Sequence, residues 1–181
     1  YFDLKPDMIT IAKGMSSGYL PIGGVIISDK VADVVIGEGA DFNHGYTYSG
    51  HPVAAAVALK NIEILESEGI VEQVKAETSP YLQQRWQELA DHPIVGEARG
   101  LGMVASIELV KDKATKARLA PNAAGGNVCR DYSMDNGLIM RSCGDIMVIS
   151  PPLVITKAEV DELIEKAKKT LDDTARFYNL I

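Results

Sequence analysis

The chain has 181 residues, 46% of them hydrophobic and 24% charged, enough for a sizeable apolar core in one domain or in parts of two. Its net charge of −7 argues against a nucleic-acid groove, which carries a basic stripe, and leaves no polybasic patch for an anionic membrane surface. No run approaches the roughly 18 apolar residues that would span a bilayer.

The opening YFDLKPDMIT matches neither a signal peptide nor a basic transit segment; it reads as the interior of a folded protein, so a fragment is expected. Residues 8–12 are an apolar run that ends at Lys13, a buried strand entering a loop. Gly14, Gly18, Pro21, Gly23 and Gly24 punctuate the next stretch. The β-branched run 24–28 predicts a second buried strand. Asp29 is placed to cap a short helix carrying Val31, Val34 and Val35. Residues 41–52, DFNHGYTYSGHP, form a polar, aromatic loop. Pro52 suits the first turn of a helix that runs to Glu68, with Ala55, Leu59, Ile62 and Leu65 at helical spacing. His51 is best explained by helix entry, and His44 and His92 show no metal-ligand pattern.

A second helix is predicted over 71–90, kinked or divided at Pro80, with Val74, Tyr81, Leu82, Trp86 and Leu89 inward. Near residue 95 the pattern changes. Gly100 and Gly102 frame a turn before a strand at 103–110, and 111–124 reads as a surface excursion. A helix at 128–135 closes on Asn136-Gly137, and strands at 138–140 and 146–149 flank the turn 142–145. Thr156 and Glu159 form a capping box for the last helix, whose buried stripe is Val160, Leu163, Ile164, Ala167 and Leu171. Alternating strands and helices with short loops indicate an α/β layered architecture over residues 1–94, with a smaller α+β unit over 95–181. Cys129 and Cys143, 14 apart, fit neither a zinc site nor a disulfide framework and read as reduced thiols of a cytoplasmic protein.

A lysine after an apolar strand is ordinary by itself. Lys13 is distinguished by the glycines that leave room beside it, because a Schiff-base lysine needs space and an amine whose ordinary pKa of about 10.4 is lowered by its surroundings. Three motifs then act together. KPDMITIAKGMSSGYLPIGG resembles the lysine segment that binds pyridoxal 5'-phosphate (PLP) in class III, fold-type I aminotransferases. FNHGYTYSGHPVAAAVALKNIEIL resembles the family's next signature, a Thr-bearing loop before a long helix, and LIMRSCGD followed by ISPPL resembles its carboxy-terminal domain. The stretch 75–111 is most similar to the ω-aminotransferase branch, in particular to enzymes that pair putrescine or another polyamine with pyruvate.

The resemblance implies the PLP-dependent transferase fold of type I: the last part of a large three-layer α/β domain in 1–94 and the small α+β carboxy-terminal domain in 95–181. It implies that Lys13 carries PLP and shuttles the proton. It implies that Thr47, with the backbone of Tyr46, binds the PLP phosphate across the interface of a homodimer or a dimer of dimers, and that Arg141 binds the substrate carboxylate. Tyr19 is a candidate for the substrate entrance or for packing, and Thr47 on local grounds alone is an ordinary turn residue. The acidic residue that pairs with the pyridine nitrogen lies upstream of the lysine segment in the family, so the chain is expected to be inactive alone. Alternatives are an ornithine, 4-aminobutyrate or β-amino acid donor, or a truncated chain serving only as a folding or dimerisation module.

Overall fold

In the computed structural model, which describes residues 2–181, β1 (Met8–Ile11) and β2 (Gly24–Ile27) pair antiparallel, with Met8 opposite Ile27 and Ile11 opposite Gly24. β-branched residues favour this extended ribbon. The expected burial is not found: Met8, Ile9, Val25 and Ile26 are all exposed. Only the end residues Ile11 and Ile27 are half-buried, so most of both faces of this two-stranded ribbon is open.

The short α1 (Asp29–Val35) follows β2, with Ser28 and not Asp29 at its N-cap. Ser28 does not cap with its side chain; its hydroxyl leans to Asp7 at 3.5 Å. Asp29 instead sits in the first turn, where the helix dipole favours a carboxylate. α2 (Pro52–Ser67) starts as the sequence predicts: Pro52 needs no N–H there, and Nδ1 of the N-cap His51 accepts from Ala54 N–H at 3.4 Å. Its burial differs from the predicted stripe. Ala54 and Ala58 are buried, whereas Leu59 is 70% exposed, so the packed face is the alanine face.

Packing divides the chain into a unit that ends at Gly69 and a unit Ile70–Ile181. The change of pattern near residue 95 marks a passage from helices to strands inside the second unit. There, α3 (Ile70–Gln73) and α4 (Ser79–Gln87) are joined by a π-turn, Val74–Thr78, in which Ser79 N–H reaches Val74 O. Pro80 explains it: with no N–H to offer the carbonyl four residues back, the helix widens instead of closing. A 3₁₀ turn, Glu88–Asp91, completes the run.

β3 (Val95–Leu101), β4 (Val104–Leu109), β5 (Arg141–Cys143) and β6 (Ile146–Ile149) form an antiparallel sheet in the order β3-β4-β6-β5. The sequence does not announce β3, because VGEARGL carries two glycines and three charged or small positions where alternation is expected. A bulge between Val95 and Glu97 absorbs Gly96, and a Cβ at Gly96 would lie 2.7 Å from Val110 Cγ1. β5 begins three residues later than the strand expected at 138–140, and the hairpin turn narrows to Gly144-Asp145. Gly144 has φ +65° at the first turn position, as a tight primed turn requires.

Ala105, Ile107 and Leu109 alternate with less buried neighbours, so one face of the sheet is packed. Leu82 and Trp86 from α4, Cys129 from α5 (Gly125–Asp135) and the stripe of α6 (Lys157–Phe177) share that core with Met147 and Ile149. Each large apolar side chain fully buried here contributes about 1.5–3 kcal/mol. The predicted stripe holds in full, from Val160 to Leu171. So does the capping box: Thr156 Oγ1 accepts from Glu159 N–H at 3.2 Å, and Glu159 Oε2 accepts from Thr156 N–H at 2.8 Å. Trp86 closes the core with its indole N–H on Ser106 O at 3.0 Å.

Candidate active site

β1 delivers the chain through Ala12 into a single 3₁₀ turn, Lys13–Met15. Lys13 has φ +51°, in the left-handed region. A residue with a Cβ loses roughly 1–2 kcal/mol there, and such strain persists only where neighbours over-determine the backbone. The neighbours are visible. Met15 N–H reaches Ala12 O at 3.2 Å and Ser16 N–H reaches Lys13 O at 3.1 Å. Ser16 is buried and donates its hydroxyl to Leu20 O at 2.7 Å. From α2, the Asn61 side-chain amide donates to Gly14 O at 3.0 Å and to Met15 O at 3.2 Å. The Lys13 side chain is exposed and makes no ion pair among the described residues, and a Cβ on Gly14 or Gly18 would meet open space. Tyr19 is 80% exposed.

Thr47 lies in the turn that leads to α2. Tyr46 N–H is held by Ser49 Oγ at 3.0 Å, and Ser49 N–H returns to Tyr46 O at 2.9 Å. Both backbone groups of Tyr46 are thus engaged inside the turn, while Thr47 is exposed and its hydroxyl makes no hydrogen bond among the described residues. Along the loop the Phe42 and His44 rings lie tilted to each other at 5.8 Å, and His44 meets Tyr46 edge to face at 5.4 Å. A cleft of about 420 Å³ opens beside it, lined by Pro21, Ile22, Gly23, Tyr46, Tyr48 and His51. Lys13 does not line this cleft, and no hydrogen bond joins it to Thr47 among the described residues.

Arg141 belongs to the second unit. It opens the edge strand β5, opposite Val148, and is exposed without an ion-pair partner among the described residues. The hairpin below it is fixed firmly: Leu109 N–H donates to Asp145 O at 2.8 Å, Ser142 Oγ donates to Gly144 O at 2.9 Å, and Asp145 Oδ1 accepts from Gly126 N–H at 3.2 Å. Among the described residues the guanidinium has no partner, while its strand is held.

Elsewhere, burial holds the His92 imidazole below its ordinary pKa despite Asp172 at 3.3 Å, and no group of three or more potential metal ligands forms among the described residues. Burial also pushes the Cys129 thiol up to about 11, against a hydrogen bond with Thr174, while Cys143 is exposed. Sequence reasoning passed over Asn61 and Asp145. A lone amide in an alanine-rich helix, or an aspartate in a turn, carries no pattern of its own; what each touches is a product of tertiary packing.

The omega transaminase from Pseudomonas jessenii, in complex with PMP, matches 99% of this chain, and 40% of its own, with a TM-score of 0.90 and 37% identity. The fold is therefore the α/β fold of type I PLP-dependent transferases. The model of the family Aminotransferase class-III matches residues 1–171, and the chain belongs to that family. It is 59% identical, over 97% of its length, to the putrescine–pyruvate aminotransferase of Pseudomonas aeruginosa. It is 40% identical, over 97% of its length, to the mitochondrial gamma aminobutyrate transaminase 1 of Solanum lycopersicum. The chain spans 38% and 34% of the lengths of these two relatives.

Proposed function

We propose that this chain supplies part of the active site of a PLP-dependent ω-aminotransferase that moves an amino group from putrescine, or another diamine or polyamine, to pyruvate. The observation that carries the reading is the 59% identity to a putrescine–pyruvate aminotransferase along nearly the whole chain. The donor set fits the cofactor. Lys13 offers an amine on an uncluttered turn, Thr47 an unengaged hydroxyl for a phosphate oxygen, and Arg141 a planar guanidinium for a carboxylate.

PLP, when bound, supplies the electron sink for the substrate carbon that loses its proton. Lys13 Nζ is the group that would hold PLP covalently. The Lys13 amine would take the proton from the donor's amine-bearing carbon as general base and return it as general acid. Thr47 binds the phosphate across the interface of a homodimer or dimer of dimers. Tyr46 serves this loop by fixing its shape, since its N–H is already held by Ser49. Arg141 grips the pyruvate carboxylate with two parallel hydrogen bonds and swings aside for a donor that lacks one; its exposed side chain, with no ion-pair partner among the described residues, supports that mobility. Tyr19, exposed beside the Lys13 turn, borders the substrate entrance. Residues 1–94 are assigned to the large PLP-binding domain with its connecting helices and 95–181 to the small one, the helices of 70–94 packing into the core of the small one. Unpaired thiols support a cytoplasmic enzyme, and no helix among the described residues is long and apolar enough to cross a membrane.

Two measurements on the full-length protein test this reading. Borohydride is expected to fix PLP on Lys13, and an adduct that survives Lys13→Ala refutes the assignment. Putrescine is expected to turn over with pyruvate; turnover of 4-aminobutyrate without putrescine would reassign the donor.

A further inference from the structure

Asn61 is half-buried midway along α2, far in sequence from the turn it touches. Its amide nitrogen, which carries two hydrogens, lies within hydrogen-bond distance of both Gly14 O at 3.0 Å and Met15 O at 3.2 Å. Among the described residues, the other hydrogen bonds of this turn are local ones: Met15 to Ala12, Ser16 to Lys13 and to Leu20, and Tyr19 to Ser16. Asn61 is thus the polar link between the Lys13 turn and a helix. The carbonyls it holds are those of the two residues that follow Lys13, and Lys13 itself sits at φ +51°. Without that link the turn can relax toward an ordinary backbone conformation, which would re-aim the Lys13 side chain. The same helix starts at His51, just after the loop that carries Thr47.

We infer that Asn61 is a positioning residue for Lys13: its amide clamps the Gly14 and Met15 carbonyls and so holds the backbone that points the lysine amine at the cofactor aldehyde. The inference rests on the reading that Lys13 binds PLP. It separates two properties that a purely structural role would move together. Attachment of PLP to Lys13 depends on where Nζ lies, whereas binding of pyridoxamine phosphate forms no bond to the lysine.

The test uses the full-length apoprotein with PLP or pyridoxamine phosphate added. Lys13→Ala comes first: an adduct fixed by borohydride in that variant would overturn the premise and not the clamp. With the adduct lost, Asn61→Ala and Asn61→Asp are compared. The first removes both donors; the second keeps the shape but sets an acceptor oxygen against two carbonyl oxygens. Both are expected to slow the rise of visible absorbance from lysine-bound PLP by roughly tenfold or more, as losing two hydrogen bonds allows. The aspartate should be the slower, and affinity for pyridoxamine phosphate should stay within about twofold. In the Asn61→Ala apoprotein, the amides of Met15 and Ser16 should exchange hydrogen faster than in the parent. PLP attachment at the parental rate in both variants, unchanged exchange at Met15 and Ser16, or an equal loss of affinity for pyridoxamine phosphate would each overturn the positioning role.

Discussion

Replacing Arg141 by alanine should separate the two substrates of the proposed reaction. The guanidinium is exposed on an edge strand and has no ion-pair partner among the described residues, so no internal contact offsets its loss. A bidentate, charge-assisted grip on a carboxylate contributes about 2–3 kcal/mol, which corresponds to roughly 30- to 140-fold in kcat/KM for pyruvate. A diamine has no carboxylate, so the half-reaction with putrescine should change less than about threefold. Stopped-flow measurement of each half-reaction in the full-length enzyme reads the two separately. The hairpin carrying Arg141 is held by Asp145 and Ser142, not by the arginine side chain, so stability should not move. Equal losses for pyruvate and putrescine, or no loss for pyruvate, would refute the assigned role.

Three further outcomes are expected of the second unit, which contains the sole tryptophan and can be followed by its fluorescence. Thr156→Ala removes the N-cap acceptor of α6 and should cost about 1 kcal/mol in urea unfolding, whereas a change below about 0.3 kcal/mol would mean that the capping box is not formed in solution. His92 has its folded pKa lowered, chiefly by burial, so between that value and the unfolded pKa near 6.5 the unfolded chain binds more protons; stability should fall as pH drops through this window, and His92→Gln should flatten the slope. Cys143 should react with a thiol reagent at pH 8 in the folded protein, while Cys129, buried and with its pKa near 11, should react only on unfolding; simultaneous reaction of both thiols would contradict the packing of α5 against α6.

The sequence alone determined what depends on near neighbours. The α6 capping box, its apolar stripe, the His51-Pro52 entry to α2 and the break at Pro80 come from spacing within a turn or two of helix. The family was legible for a related reason: the segments around Lys13, Thr47 and Arg141 carry ordered local motifs. Other features required the folded chain. β3 exists because β4 pairs with it around the bulge at Gly96, despite a sequence poor in strand formers. Apolar strands 8–11 and 24–27 announce that they favour burial, but not what would cover them, and in this chain their faces are exposed. The hydrogen bonds of Asn61 to the Lys13 turn, spanning more than forty residues of sequence, are of the same kind. Local pattern fixes an element and its polarity; which groups meet across the fold is set by long-range pairing and close packing, and there tertiary structure alone decides.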